Sequence, residues 1–254
     1  MKDKTINKTK IEKLAAVLFA LVVWHIVAIV VDNSMLLVTP AAVVKRMFNL
    51  LFEKDFLSAV GFSLIRIVAG FFIALATGSV LAVIAGRFRL AEIMFWPFIV
   101  AIKSVPVVSF IILCLIWLSS RTLSVFIAFL MVLPIVYTNM LEGIKSTDKK
   151  LLEMAQLYNV GWLKKLKYIY LPHLKPYVIS ACSISIGLSW KAGTAAEVIG
   201  IPEGSIGEKL YEAKVYFSSA DLLSWTVVII VVSILFEKLF LYLLKYFFER
   251  LESA

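Results

Sequence analysis

The sequence predicts an all-α membrane protein with six transmembrane helices, and three observations carry that expectation. First, 61% of the 254 residues are hydrophobic and 17% are charged, with a mean hydropathy of +0.94. A soluble domain has no core large enough to take up so much apolar surface. Second, the stretches at about 14–31, 61–86, 90–118, 122–144, 174–199 and 222–247 are each long enough for a hydrocarbon layer about 30 Å thick, which needs roughly 20 helical residues. Barrel strands would appear instead as short alternating segments. Third, the basic residues outside these stretches fall mostly on one set of alternate loops.

The charge sorting sets the orientation. One side receives Lys2, Lys4, Lys8, Lys10 and Lys13, then Arg87 and Arg89, then Lys145, Lys149, Lys150, Lys164, Lys165, Lys167 and Lys175, and finally Lys245 and Arg250. The other side receives only Lys45, Arg46, Lys54, Arg121, Lys209 and Lys214. Both termini and the segment 148–172 are therefore expected in the cytoplasm. Topology accounts for the net charge of +9, so a nucleic-acid partner is not needed and none is expected. The first stretch should remain as a helix, because no small-residue cleavage pattern follows it before Asp32.

The chain divides on this reading into residues 1–60 and residues 61–254. The first part carries the tail, the first span and an outer amphipathic helix over Pro40–Leu51, with Val43, Val44, Met47, Phe48 and Leu51 on one face and Lys45, Arg46 and Asn49 on the other. The second part is a five-helix core containing the loop 148–172. In its first helix, Gly70, Ala74, Gly78, Ala82 and Gly86 place a small residue at every fourth position, a stripe suited to close helix packing. A second small stripe, Ala181, Ser185, Ser189 and Gly193, could pack or could line a solute path. Pro106 lacks an amide and should kink or break the 90–118 span. Gly200–Asp221 reads as an outer segment with Glu203, Glu208, Glu212 and Asp221 around Gly204-Ser205-Ile206-Gly207.

Catalytic chemistry is poorly supplied. Cys114 and Cys182 lie inside spans without metal-like spacing, and His25 and His173 lack companions for a metal or nucleophile site. No GxxxxGK[ST] segment occurs, so a nucleotide that energises this protein must be bound by another subunit.

The segment EMAQLYNVGWLKKLKYIYLP (153–172) is a basic island in this apolar chain. Asp148 can cap a helix in which Leu151, Leu152, Ala155 and Tyr158 recur at helical spacing. Asn159 and Gly161 tolerate left-handed backbone, so a turn is expected there, followed by a second basic helix over Trp162–Tyr170 that ends at Pro172. On physical grounds alone, such an object suits either a partner protein or an anionic lipid surface.

The same residues resemble the permease subunits of bacterial ATP-binding-cassette importers. Those subunits carry a cytoplasmic motif of Glu-Ala-Ala, three residues, Gly, nine residues and Ile-x-Leu-Pro. Glu153, Met154 and Ala155 take the first three places, Asn159 the Gly, and Ile169, Leu171 and Pro172 the ending. Met154 departs from Ala, and Asn159 from Gly. SLIRIVAGFFIALATGSVLAVIAGRFR (63–89), IKSVPVVSFIILCLIWL (102–118) and SWKAGTAAEVIGIPEGSIG (189–207) are similar to the branch that includes nitrate, taurine and alkanesulfonate importers, although Ser119 stands where Gly usually follows. The likeness runs from about Pro40 to Glu249.

The resemblance implies the type I importer permease fold, with Glu153, Met154, Ala155, Asn159, Gly161, Leu171 and Pro172 forming a coupling element against an ATPase subunit. The partners it implies are two ATPase subunits, a second permease copy or paralogue, an extracytoplasmic substrate-binding protein and the lipid of a bacterial cytoplasmic membrane. It also implies no cofactor in this chain, with ATP and Mg held by the ATPase, and no covalent chemistry. A small solute of the sulfonate, taurine, nitrate or vitamin-precursor class would be carried.

Ionisable groups inside spans usually face a bundle interior or a water-filled cavity. Arg66 and Lys238 lie near enough to span ends to reach the interface. Lys103, just before Ser104-Val105-Pro106, Pro106 itself, and Lys191, in the fifth span, are candidates for a solute path together with Ser185, Ser189 and Glu197. Six residues separate Lys191 from Glu197, which sets them about 120° apart around a helix. They could make the path electropositive for an anion, or neutralise carboxylates such as Glu142 and Glu197 in packing roles. As a proton-handling pair, Lys191 and Glu197 would instead serve an ion-coupled secondary transporter, although no internal repeat between the halves supports that alternative.

Overall fold

The computed structural model describes residues 2–253, with side chains from residue 12 to residue 251; the side chains of Lys2, Lys4, Lys8 and Lys10, which enter the orientation argument, lie outside the described residues. The helices are α1 (Lys2–Val31), α2 (Pro40–Leu50), α3 (Phe56–Arg87), α4 (Arg89–Ser104), α5 (Val107–Cys114), α6 (Ser120–Lys145), α7 (Lys149–Leu157), α8 (Trp162–Lys165), α9 (Leu171–Gly200), α10 (Ile206–Val215) and α11 (Ser219–Ser253). A π-helical turn, Leu166–Tyr170, joins α8 to α9.

By length and composition, α1 from Glu12, α3, α6 and α11 to Leu251 can each cross a bilayer among the described residues. The 90–118 stretch is not one straight span. It is α4 and α5, bent by 101° at Val105-Pro106, where α4 has ended and Pro106 has no amide to continue the ladder. The expected fifth span, 174–199, lies within α9, whose 30 residues make about 45 Å of helix, long enough to cross. α9 is nevertheless too polar to qualify by composition. Of its polar side chains, Ser185, Ser189, Thr194 and Glu197 are turned inward among protein atoms, where a polar side chain escapes lipid, while Lys191 is exposed.

Two compact units emerge, one from residues up to Ser58 with Lys209–Val228, the other from Ala59–Glu208 with the chain from Ile229 onward. In the first unit, Thr39 caps α2, its hydroxyl accepting from the Ala42 amide at 3.4 Å, and Pro40 opens the helix. The inward face of α2 is Val43, Met47 and Leu50, with Val44, Phe48 and Leu51 exposed. The expected apolar face was thus rotated, because Arg46 has inward partners: its guanidinium pairs with Asp221 and, at 2.8 Å, with Glu53. Burial opposes the Arg46 charge, but the hydrogen bonds and charges of Asp221 and Glu53 outweigh it and hold its pKa above the ordinary value. Ser224 donates to the Val43 carbonyl at 3.2 Å, and Phe56 stacks on Trp225 with centroids 5.5 Å apart.

In the second unit the small stripe of α3 performs the packing expected of it. A Cβ on Gly70 would stand 2.3 Å from the Val125 carbonyl oxygen, one on Gly78 3.0 Å from the Val136 side chain, and one on Gly86 2.8 Å from Ile144. α3 therefore lies against α6 at near backbone contact, with Ala74 and Ala82 fully buried between. Phe71 meets Phe236 and Phe240 edge-on, at 6.0 and 5.2 Å. Ile67, Val132, Ile186 and Trp190 complete this core, and Ile111, Leu123, Ile127 and Ala196 form a second cluster beneath α5. Cys114 and Cys182 are free and buried.

Candidate functional site

The loop after α6 is built by local chemistry. Asp148 Oδ1 accepts from the Lys150 amide at 2.8 Å, which starts α7. The helix ends where Asn159 takes φ 53°; the Val160 amide reaches back to the Ala155 carbonyl at 2.9 Å and the Asn159 amide to Gln156 at 3.0 Å. This pair of bonds is the Schellman arrangement, which requires a left-handed residue at that position. Gly161 is different: its φ is −60°, so Asn159 alone supplies the left-handed turn. The second helix does not end at Pro172 either. Trp162–Lys165, the π turn and α9 form one continuous run, so Pro172 lies inside it, directly after a π turn in which the Leu171 amide bonds the Leu166 carbonyl five residues back.

Within α7 only Ala155 is buried, and Tyr158 does not share its inward face as the periodicity suggested. Leu157 and Tyr158 are 82% and 78% exposed, and Leu151, Met154, Trp162 and Leu163 are exposed with them. A short capped helix flanked by lysines thus presents an apolar surface around Glu153. Contiguous exposed apolar surface of this kind marks an interaction site in a protein that otherwise keeps its polar segments solvated.

The path candidates separate into two groups. Lys103, Pro106 and Lys191 are exposed; Ser185, Ser189 and Glu197 are buried. Lys103 Nζ donates to Thr138 Oγ1 at 3.5 Å, and Lys191 has no hydrogen-bond or ion-pair partner among the described residues. Neither lysine neutralises a carboxylate. Ser189 donates to its own helix at the Ile186 carbonyl, 2.8 Å away, while the Ser185 hydroxyl is buried without a partner.

Glu197 instead organises a cluster that sequence reasoning missed. Ser63 Oγ donates to Glu197 Oε2 at 2.5 Å and accepts from the Ile206 amide at 3.0 Å, and the Gly207 amide reaches the same carboxylate oxygen at 3.4 Å. Ser205 caps α10 through the Glu208 amide at 2.9 Å, and Glu208 Oε2 accepts from Gly204 at 2.6 Å. The stretch from Gly200 to Glu208 is thereby fastened onto α3 and α9. Ser205-x-x-Glu208 was a legible helix start, whereas nothing in the sequence singles out Ser63.

His173 shares a hydrogen bond with Ser146 at 3.1 Å, and Ser146 also bonds Tyr177 at 2.9 Å, so the histidine closes the end of α6 onto α9. Among the described residues no group of three His, Cys, Asp or Glu side chains could hold a metal ion.

Long apolar helices and a helix pair bent at Val105-Pro106 define the class, a polytopic membrane protein. Residues 74–253 match the family described as binding-protein-dependent transport system inner membrane component, and the chain belongs to that family. It is similar to the putative aliphatic sulfonates transport permease protein SsuC of Bacillus subtilis (strain 168), 24% identical over 86% of this chain and 79% of the relative. The taurine transport system permease protein TauC of Escherichia coli (strain K12) is 22% identical over 84% of this chain and 80% of its own length. The bicarbonate transport system permease protein CmpB of Synechococcus elongatus is 23% identical, over 74% and 68%. The chain is an importer permease of the ATP-binding-cassette class, a multi-pass protein of the cytoplasmic membrane and a transport subunit rather than an enzyme.

Proposed function

We propose that this permease spans the membrane six times, α9 included, with both termini in the cytoplasm, and works with a second copy or a paralogue, two ATPase subunits and an extracytoplasmic binding protein. ATP and Mg sit on the ATPase, and this chain holds no cofactor of its own. The apolar surface of Met154, Leu157 and Tyr158 docks on the ATPase, and the unbroken run from Trp162 through the π turn into α9 carries the motion to the spans. The observation that carries this reading is the left-handed Asn159 at the motif's glycine position, with exposed apolar side chains on either side of it.

The solute we favour is a small anion, first an organosulfonate such as taurine. Aliphatic sulfonates, taurine and bicarbonate, after which the relatives are named, share a compact negative group, and Lys103 and Lys191 offer cationic groups without carboxylate partners. The ion-coupled alternative has no supporting observation, since Glu197 bonds to Ser63 and Gly207 rather than to Lys191.

Vesicles carrying the complete assembly should accumulate taurine or an alkanesulfonate only when Mg-ATP is on the ATPase side. Lys103→Ala and Lys191→Ala are expected to lower uptake about tenfold each, the effect of roughly 1.4 kcal/mol, while leaving ATPase association intact. Uptake driven by a proton gradient without ATP would sink the proposal, and unchanged uptake in both variants would remove these lysines from the path.

A further inference from the structure

A cavity of about 700 Å³ opens where the last turn of α3 meets the first turns of α4 and the last turn of α6. Arg87, Arg89, Glu92 and Lys145 supply its charges, and Ile93 and Trp96 its apolar wall. Lys145 Nζ holds both oxygens of Glu92 at 2.6 Å, so this lysine and this carboxylate neutralise each other. The guanidinium groups of Arg87 and Arg89 have no partner among the described residues and keep their full sets of donors. The cavity thus presents two uncompensated planar cations, a geometry matched to the oxygens of a phosphate group.

The position of the cavity indicates which phosphate. Arg87 ends a membrane-crossing helix, which puts the site at headgroup depth. From the cavity wall, Ile93, Trp96 and Val100 continue along α4 at helical spacing, all exposed, as a strip on which an acyl chain can lie. A soluble anion has no use for that strip. Arg87 also borders a second cavity of about 470 Å³, which Trp162, Leu166 and Tyr170 close from the segment linking α8 to α9.

We propose that Arg87 and Arg89 form a binding site for the phosphodiester of an anionic membrane lipid, whose occupant touches the base of the coupling segment through Arg87. The site rests on α3 spanning the membrane, and it stands independently of the ATPase partner and of the transported solute.

The test uses the full chain alone in vesicles, with quenching of tryptophan fluorescence by brominated phosphatidylglycerol compared with brominated phosphatidylcholine. The unaltered chain is expected to prefer phosphatidylglycerol about thirtyfold, the scale of two basic groups near a membrane surface. Arg87→Gln with Arg89→Gln should abolish the preference, whereas Lys164→Gln with Lys165→Gln, one exposed and one half-buried position outside the cavity, should retain it. Both arginines are exposed, so the paired variant should fold, which an unchanged circular dichroism spectrum checks. Equal preference in the arginine variant and the parent would overturn the site. Loss of the preference on adding inorganic phosphate at constant ionic strength would show that the cavity takes soluble phosphate, and would overturn its assignment to lipid.

Discussion

Gly207→Ala should be among the most damaging single substitutions in this chain. A Cβ there would lie 2.2 Å from Glu197 Cβ, 2.4 Å from the Glu197 carbonyl carbon and 2.6 Å from the Val198 nitrogen. Two of those atoms are backbone in the last turn of α9, beside the fully buried Glu197 side chain, so the segment after Pro202 must move away. Its departure breaks the Ile206–Ser63 and Gly207–Glu197 bonds and leaves a fully buried carboxylate with little compensation. The combined cost is about 3 kcal/mol, from overpacking and from the loss of hydrogen bonds to a buried acid. Thermal unfolding in detergent should show a clear fall in midpoint, with new proteolytic cleavage near residues 200–208. Gly61→Ala provides the contrast, because no atom lies within 4 Å of its added Cβ; it should be neutral or slightly stabilising. Equal midpoints for the two variants would mean that the Glu197 cluster does not fasten this segment.

The second large effect is on assembly. Leu157→Asp combined with Tyr158→Asp puts two carboxylates at the centre of the exposed apolar surface of the 148–172 loop. Both side chains are exposed in the isolated chain, so its folding should be unaffected. An apolar anchor at an interface contributes about 2 kcal/mol, so losing two should weaken ATPase association on the order of a hundredfold or more. Size-exclusion co-elution of purified subunits reads this directly. Retained co-elution would place the docking surface elsewhere.

These two sites differ in how far the sequence disclosed them. The backbone of the 148–172 loop was largely legible, because its parts are local: an Asp148 cap, helical spacing, and an Asn that tolerates positive φ within a few residues of one another. Its errors were also local. Gly161 was expected to share the turn, but the Schellman bonds need one left-handed residue, and Asn159 already supplies it. The helix after it was expected to stop at Pro172, yet the π turn, whose Leu171 amide bonds the Leu166 carbonyl, carries the helical run past the proline into α9. The packing stripe of α3 was legible for a similar reason, since a four-residue period maps directly onto one helix face.

The Glu197 cluster was not legible. Ser63 and Glu197 are 134 positions apart, and periodicity within one helix carries no information about which residue of another helix lies opposite. The same limit rotated the face of α2: Arg46 looked solvent-facing until Asp221, 175 positions away, gave it an inward partner. Polar α9 posed the opposite problem. Its serines and Glu197 lower its hydropathy as a span because they are satisfied or enclosed by protein rather than lipid, a distinction that composition does not record.

On the proposed function, the basic loop docks an ATPase and does not rest on lipid. Met154→Cys tests it most directly. The native Cys114 and Cys182 are buried, so a benzophenone maleimide should label the half-exposed position 154 selectively. Irradiation of the labelled assembly in lipid should join this chain to the ATPase subunit, and the adduct should change in yield when ATP is added. Adducts with lipid alone, unaltered by the presence of the ATPase, would contradict the account.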